Sequence, residues 1–309
     1  MEIAMNKSET TRVTLLAFSA FFLWGFSFLF SRLGLNEARP FVLLAHRFTL
    51  AAAAMALMLA AGLEKLRLRG KRVGRLLLMG LCEPVIYFIF EAYGILYTTT
   101  AFSGVMLATV PIVALLGSAV LLRERITPGQ LVWSLVSVGG VIVFALLGSN
   151  EGSVSGVGVL CLVLAVLSTV SFTLLSRALA EEFTPFERTF IGTVEGMAAF
   201  WLLAAVQCRD DPAALTAPLA SGRYWLSIAY LGVAASIVCY GILNYALGRL
   251  PVSRVAIGTN LVTVVSVFAG IVFLREPFSW TSVLCSLVIL AGIYGAERAA
   301  APQEVSADE

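Results

Sequence analysis

Leu122-Arg123-Glu124 closes an apolar run in the first half of the chain, and Leu274-Arg275-Glu276 closes its counterpart 152 positions later. Each half reads as five apolar runs. Because five is odd, a second copy must enter a bilayer from the face opposite to the first, so the halves are expected to be inverted repeats. That arrangement builds two gates around one shared site.

The register extends outward from these two turns. A shift of 152 also carries Tyr93 onto Tyr245, Ser134-Leu135-Val136 onto Ser286-Leu287-Val288, and Gly140 onto Gly292. A shift of 145 carries Leu29-Phe30-Ser31-Arg32 onto Leu174-Leu175-Ser176-Arg177 and Pro40-Phe41 onto Pro185-Phe186. The polar matches carry the weight, since shared hydrophobicity does not produce them. Between the halves, the polar and glycine-rich stretch Gly148 to Gly156 reads as a seam. The expected division is an N-terminal segment 1–11, a first five-helix repeat 12–147, a loop 148–155, a second repeat 156–297, and a disordered polar tail 298–309.

Apolar residues make up 59% of the chain and charged residues 13%, so most of its surface must face lipid. The apolar runs fall near 12–34, 40–62, 74–96, 101–122, 127–147, 156–178, 185–206, 223–247, 252–273 and 279–297. Each is about the 20 residues that cross a hydrocarbon core. They are too long and too uniformly apolar for barrel strands, and backbone amides in lipid must be satisfied within their own segment. The sequence therefore predicts an all-α polytopic membrane protein of ten transmembrane helices.

The formal net charge is only +2, but orientation follows the placement of Lys and Arg. With the N-terminus inside, the cytoplasmic side collects the dense run Lys65, Arg67, Arg69, Lys71, Arg72 and Arg75 together with Lys7, Arg12, Arg123, Arg125, Arg177, Arg188, Arg249, Arg254 and Arg298. The other side holds Arg32, Arg39, Arg209, Arg223 and Arg275, which favours both termini in the cytoplasm of a cell (inner) membrane. Orientation accounts for the basic loop without a nucleic-acid partner. Cys82, Cys161, Cys208, Cys239 and Cys285 lack metal-like spacing and read as apolar fillers, and no cofactor or metal is implied. The first run exceeds a signal-peptide core and is expected to remain in the mature chain.

The tract Tyr93-Gly94, Thr98-Thr99-Thr100-Ala101, Pro111, Leu122-Arg123-Glu124-Arg125, Gln130 and Gly139-Gly140-Val141 resembles the EamA repeat of the drug/metabolite transporter superfamily. A second copy runs through Tyr245, Val252-Ser253, Leu274-Arg275-Glu276-Pro277 and Ala291-Gly292-Ile293, and Trp24-Gly25 and Arg47 fit the same pattern. The resemblance implies ten helices in two inverted repeats and a central cavity for small metabolites, often exported. Thr263 stands where the family commonly has a proline, opposite Pro111, so the two gates are not expected to bend alike.

Few ionisable groups lie inside the apolar runs, where each costs about 2.5 to 3.5 kcal/mol at mid-bilayer. Glu83, Tyr87 and Glu91 share one helical stripe of the third run, with Pro84 removing a backbone donor beside Glu83. The two carboxylates either bind protons or cations, or pair with an arginine and hold helices together. Arg47 sits about ten ångströms below the outer end of the second run, where Glu91 or Glu195 could neutralise it as a structural pair or a gate latch. His46, the lone histidine, is either a proton relay or a hydrogen-bonding core residue. Asn244 and Asn260 either read a polar substrate group or join helices, while Trp24, Tyr87 and Tyr240 supply an amphipathic wall. Glu124 and Glu276 sit at helix C-termini, where the dipole disfavours an anion, and read as hairpin clasps rather than substrate contacts.

No Walker-type phosphate loop is present to power transport by nucleotide hydrolysis. The expectation is a secondary active or facilitative transporter that exports a small metabolite, such as an amino acid or related amphiphile, with protons as a candidate coupling ion. A lipid or sugar-lipid flippase of the same fold is the alternative. An intramembrane enzyme on isoprenoid substrates is the more distant one, since Asp210-Asp211, the only adjacent Asp pair, reads as a solvated loop.

Overall fold

The computed structural model describes residues 7–107, 109–110, 112–113, 127–150, 154–250, 255, 258–275 and 280–299. Leu122-Arg123-Glu124, Pro111, Glu276 and the tail from residue 300 onward lie outside the described residues. Every regular element described is helical: α1 (Lys7–Leu35), α2 (Pro40–Ala60), α3 (Val73–Leu96), α4 (Thr100–Leu107), α5 (Pro128–Asn150), α6 (Gly156–Ala178), α7 (Pro185–Gln207), α8 (Gly222–Leu247), α9 (Thr259–Leu274) and α10 (Trp280–Arg298). Of these, α1, α2, α3, α6, α7 and α8 are long and apolar enough to cross a membrane. Shorter apolar stretches lie at Pro128–Phe144, Leu261–Leu274 and Val283–Ala296.

Local chemistry sets the ends. Pro40 and Pro185 open α2 and α7 in the first turn, where a missing N–H costs nothing. Thr184 caps α7 by accepting from the Glu187 amide at 3.1 Å, and the Glu187 side chain accepts from the Thr184 amide at 2.9 Å. Ser155 caps α6 by accepting from Gly158 N–H. The seam is shorter than its composition suggests, because α5 continues through Gly148-Ser149-Asn150. Polar residues at a helix end can face water without breaking the backbone ladder.

Two helices are interrupted. A kink within Leu81–Ile86 of α3 puts Glu83 in extended geometry, at φ −145°, ψ 117°, beside the Pro84 nitrogen that cannot donate. In α8, a π-helical stretch spans Tyr230–Cys239 with no proline.

The bundle is apolar outside and carries its polar groups inside. Leu57, Leu202 and Trp280 are 69%, 69% and 77% exposed, while Arg47, Glu83, Glu91, Arg188 and Asn244 are buried. Helix packing follows a regular scheme. The principal pairs are α2 with α7 and α8, α3 with α7, α5 with α10, α4 with α9, α1 with α8 and α9, and α6 with α3 and α4. Advancing every label by five, cyclically, returns the same set.

Single contacts obey the same rule. Arg32, near the end of α1, donates to the Ile95 carbonyl at the end of α3 at 2.6 Å; Arg177, near the end of α6, donates to the Leu247 carbonyl at the end of α8 at 2.7 Å. Each arginine satisfies a helix-terminal carbonyl that has no partner within its own helix. These partners are separated by the 145 and 152 of the sequence register. Likewise a Cβ on Gly140 would meet the Ile289 side chain, and one on Gly292 would meet Ser137. Close approach of backbones holds α5 against α10 where lipid supplies no hydrophobic push.

At one end of the bundle, the loop between α2 and α3 is clasped to the α6–α7 connection. Glu187, with its side chain 1% exposed, accepts from Lys71 Nζ at 2.5 Å and from the Arg67 amide at 2.8 Å, and Glu182 accepts from the Arg72 amide at 2.6 Å. Removing a buried partner strands the groups facing it, at about 3 kcal/mol. Glu187→Ala is therefore expected to lower the thermal unfolding midpoint of the detergent-purified protein well below that of Glu182→Ala. Equal midpoints for the two variants would show that the buried clasp contributes nothing special.

Candidate functional site

The interruption in α3 turns the Glu83 carboxyl toward the bundle axis, where the Tyr240 hydroxyl of α8 donates to its Oε1 in a short hydrogen bond. Its other oxygen, Oε2, is buried without a partner of acceptable hydrogen-bond geometry, although Thr169 of α6 stands beside the carboxyl. One and two helical turns further on, Tyr87 and Glu91 face the same way, and the Tyr87 hydroxyl donates to Glu91 Oε1 at 3.2 Å.

These groups line a cavity of about 870 Å³, including the part open to the outside. Its wall also includes Phe21, Trp24 and Phe28 of α1, Arg47 of α2, Thr169 and Thr173 of α6, and Val262 of α9. Trp24 is fixed by donating from Nε1 to the Ala235 carbonyl at 3.2 Å and by edge contact with Tyr240, 5.0 Å between ring centroids. The six expected residues Trp24, Arg47, Glu83, Tyr87, Glu91 and Tyr240 thus meet in one place, contributed by both halves of the chain.

Arg47 enters this cavity without an ion pair. Its Nε donates to the Ser236 hydroxyl at 2.9 Å and its guanidinium lies over the Phe88 ring, 4.1 Å from the centroid. Among the described residues, no carboxylate comes within 4.0 Å of it. Of its two expected partners, Glu91 shares the cavity wall. Glu195 does not: it faces α3, and a Cβ on Gly80 would meet its Oε2. It stands where α7 packs against the first part of α3, beside Gly80.

The other expectations separate. His46 is buried away from the cavity, its Nδ1 sharing a 2.8 Å hydrogen bond with the Tyr224 hydroxyl and its ring meeting Trp201 edge-on. Asn244 is bonded at both ends of its carboxamide, with Oδ1 accepting from the Ser176 hydroxyl at 2.7 Å and Nδ2 donating to the Thr189 hydroxyl at 2.9 Å. It lines a second, smaller cavity with Glu83, Tyr240, Thr189, Thr193, Ser236 and Arg188. Asn260 lies in the first turn of α9, and its side chain is outside the described residues. The Glu83–Tyr240 hydrogen bond stands between the two cavities, since both residues line both. Among the described residues, no group of three His, Cys, Asp or Glu side chains could hold a metal ion.

The profile of the EamA-like transporter family matches residues 11–146 and again residues 156–297. The chain belongs to the EamA family. Among its relatives, an uncharacterized transporter of Bacillus subtilis, YcxC, is 32% identical over 94% of each chain. A probable terminal-alkyne amino-acid exporter of Streptantibioticus cattleyicolor is 27% identical over 82% of each. A solved crystal structure shares the fold, with a TM-score of 0.67 at 22% identity over 92% of this chain and 98% of that one. This EamA protein is accordingly a multi-pass membrane transporter and not an enzyme, acting on a small molecule across a bilayer.

Sequence reasoning placed Arg188 of this EamA chain only among the cytoplasmic-side cations, whereas the buried side chain lines the smaller cavity. Its position one residue after Glu187, inside the capped first turns of α7, was the signal available. It also missed the π-helical stretch of α8, which no proline announces.

Proposed function

We propose that this protein exports a small amphiphilic metabolite, such as an amino acid, across the cell (inner) membrane by alternating access between two inverted five-helix repeats, 12–147 and 156–297. Ten crossings would put both termini on one side, and the Lys and Arg distribution favours the cytoplasm as that side. The observation that carries the reading is the buried cavity built jointly by α1, α2 and α3 and by α6, α8 and α9, whose polar groups Glu83, Tyr87, Glu91 and Arg47 sit in an otherwise apolar wall. Such a lining fits a ligand with both a polar head and an apolar body. The cyclic packing scheme and the paired arginines support a two-fold relation of the halves, and five crossings in each half make that relation an inverted one. The likeness to the Streptantibioticus protein, a probable terminal-alkyne amino-acid exporter, supports the substrate class and direction.

Glu83 is the candidate coupling group. It is buried, has one free oxygen, and forms the partition between the cavities, so a proton or cation bound there would feel which cavity is open. Two measurements test the scheme. Proteoliposomes holding the purified protein should show counterflow of labelled amino acids, and a panel with no exchange in any metabolite class would sink transport by this route. Single cysteines at residues 124 and 276 should be labelled from opposite faces of the membrane, and labelling from one face would remove the inverted topology.

A further inference from the structure

The loop between α2 and α3 carries Lys65, Arg67, Arg69, Lys71, Arg72 and Arg75 against a single acid, Glu64. Its course is fixed by contacts that leave most of this charge unanswered. Leu68 packs against the hydrophobic core, and Lys71 pairs with Glu187 while lying over the Phe183 ring, 5.1 Å from the centroid. The acids of the facing α6–α7 connection are otherwise taken up by main chain: Glu187 accepts from the Arg67 amide and Glu182 from the Arg72 amide. Among the described residues, no carboxylate lies within 4.0 Å of the side-chain nitrogens of Lys65, Arg67, Arg69, Arg72 or Arg75, and all five residues are exposed.

The same loop shows apolar side chains. Leu63 and Leu66 are 72% and 38% exposed, although both lie past the end of α2 and outside any helix. The helices that flank them, α2 and α3, are long and apolar enough to cross a membrane, which sets the loop at the level of lipid head groups. Unpaired cations beside exposed leucines, on a backbone held against the bundle, complement the boundary where anionic head groups meet acyl chains.

We propose that the α2–α3 loop is a docking surface for anionic phospholipid, whose phosphate groups the five unpaired cations receive while Leu63 and Leu66 enter the acyl boundary. The clasp builds this surface: it turns Glu182 and Glu187 to the amides of Arg72 and Arg67 and so keeps the guanidinium groups for the lipid. Arginine holds phosphate through two parallel N–H donors. Each Lys or Arg near an anionic bilayer strengthens attachment about fivefold. A nucleic acid would use the charge but not the leucines, which favours lipid as the partner.

The test places the full chain in nonionic detergent micelles doped with equal amounts of phosphatidylglycerol and phosphatidylcholine of the same acyl chains, and counts retained lipid by native mass spectrometry. Wild type is expected to retain phosphatidylglycerol at least about tenfold over phosphatidylcholine. Replacing Lys65, Arg67, Arg69, Arg72 and Arg75 together by Gln should bring the ratio to within about twofold, since glutamine keeps the main-chain amides of the clasp but not the charge. Arg209→Gln with Arg223→Gln, exposed cations at the opposite end of the bundle, should leave the ratio unchanged. If the fivefold variant is not recovered folded, Lys65→Gln with Arg69→Gln decides, and the ratio should fall at least about threefold. A wild-type ratio near one, an undiminished ratio in the deciding variant, or an equal fall in the Arg209 and Arg223 control overturns the surface. So does displacement of the lipid when inorganic phosphate replaces chloride at equal ionic strength, or retention of a short RNA with no preference between the two lipids.

Discussion

Glu83→Gln is expected to lower exchange by about a hundredfold and to flatten the pH dependence of what remains, with the fold retained. Glutamine has nearly the same shape and still accepts from the Tyr240 hydroxyl, so the contact between α3 and α8 survives. What disappears is the charge and the ability to take up a proton. Proton transfer by a positioned side chain contributes about 10² to 10⁴ in rate, and each 1.4 kcal/mol lost from the transition state slows a step about tenfold. Tyr240→Phe removes only the donor and is expected to cost about tenfold. Glu91→Gln should cost less than Glu83→Gln, because Glu91 accepts from Tyr87 on its own helix and does not bridge the halves. Initial rates across a pH series decide the matter. An unchanged pH profile in both the Glu83 and the Glu91 variants would remove the carboxylates from coupling.

The second large effect falls on the scaffold. Gly292→Leu is expected to destabilise the protein by about 3 kcal/mol, a loss of roughly 5–10 °C in Tm. A Cβ there would sit 2.6 Å from the Ser137 backbone nitrogen and 2.7 Å from its Cβ, so relief requires α10 to move off α5 rather than a side chain to turn aside. Gly139→Leu is the control, because nothing lies within 4 Å of a Cβ at that position. Thermal unfolding of both variants in the same detergent checks the pair. Equal midpoints would mean that the α5–α10 contact is loose enough to absorb a leucine.

Much of this scaffold was legible because bilayers impose strong rules on sequence. A run such as 156–178 has to be helical in lipid, and α6 spans Gly156–Ala178. The offset of 145 between Arg32 and Arg177 was visible before their roles were, since a polar residue repeated inside a generic apolar background is informative. The structure adds that both close the end of a neighbouring helix. The site was partly legible for the same reason: a carboxylate within an apolar run stands out, and Glu83 and Glu91 do line the cavity. Helical spacing held across the interruption of α3, for Glu83, Tyr87 and Glu91 all line the cavity, and Pro84 marks that interruption in the sequence. The π-helical stretch of α8 carries no such mark. Partners of buried cations were illegible too, because helical spacing gives depth and not the neighbour across the gap. Arg47 rests on Phe88 instead of on an acid, and His46 reaches Tyr224, 178 positions away.

The register that pairs the scaffold contacts leaves the interior charges single. Glu83 and Glu91 correspond to Ala235 and Leu243, Arg47 to Gly192, Arg188 to Leu43, and Glu195 to Leu50. Architecture is thus held in duplicate and chemistry in one copy. Damage to a helix clamp leaves a twin in the other half, whereas damage to the pocket has no understudy, and grafting either half onto itself would rebuild the frame without its recognition.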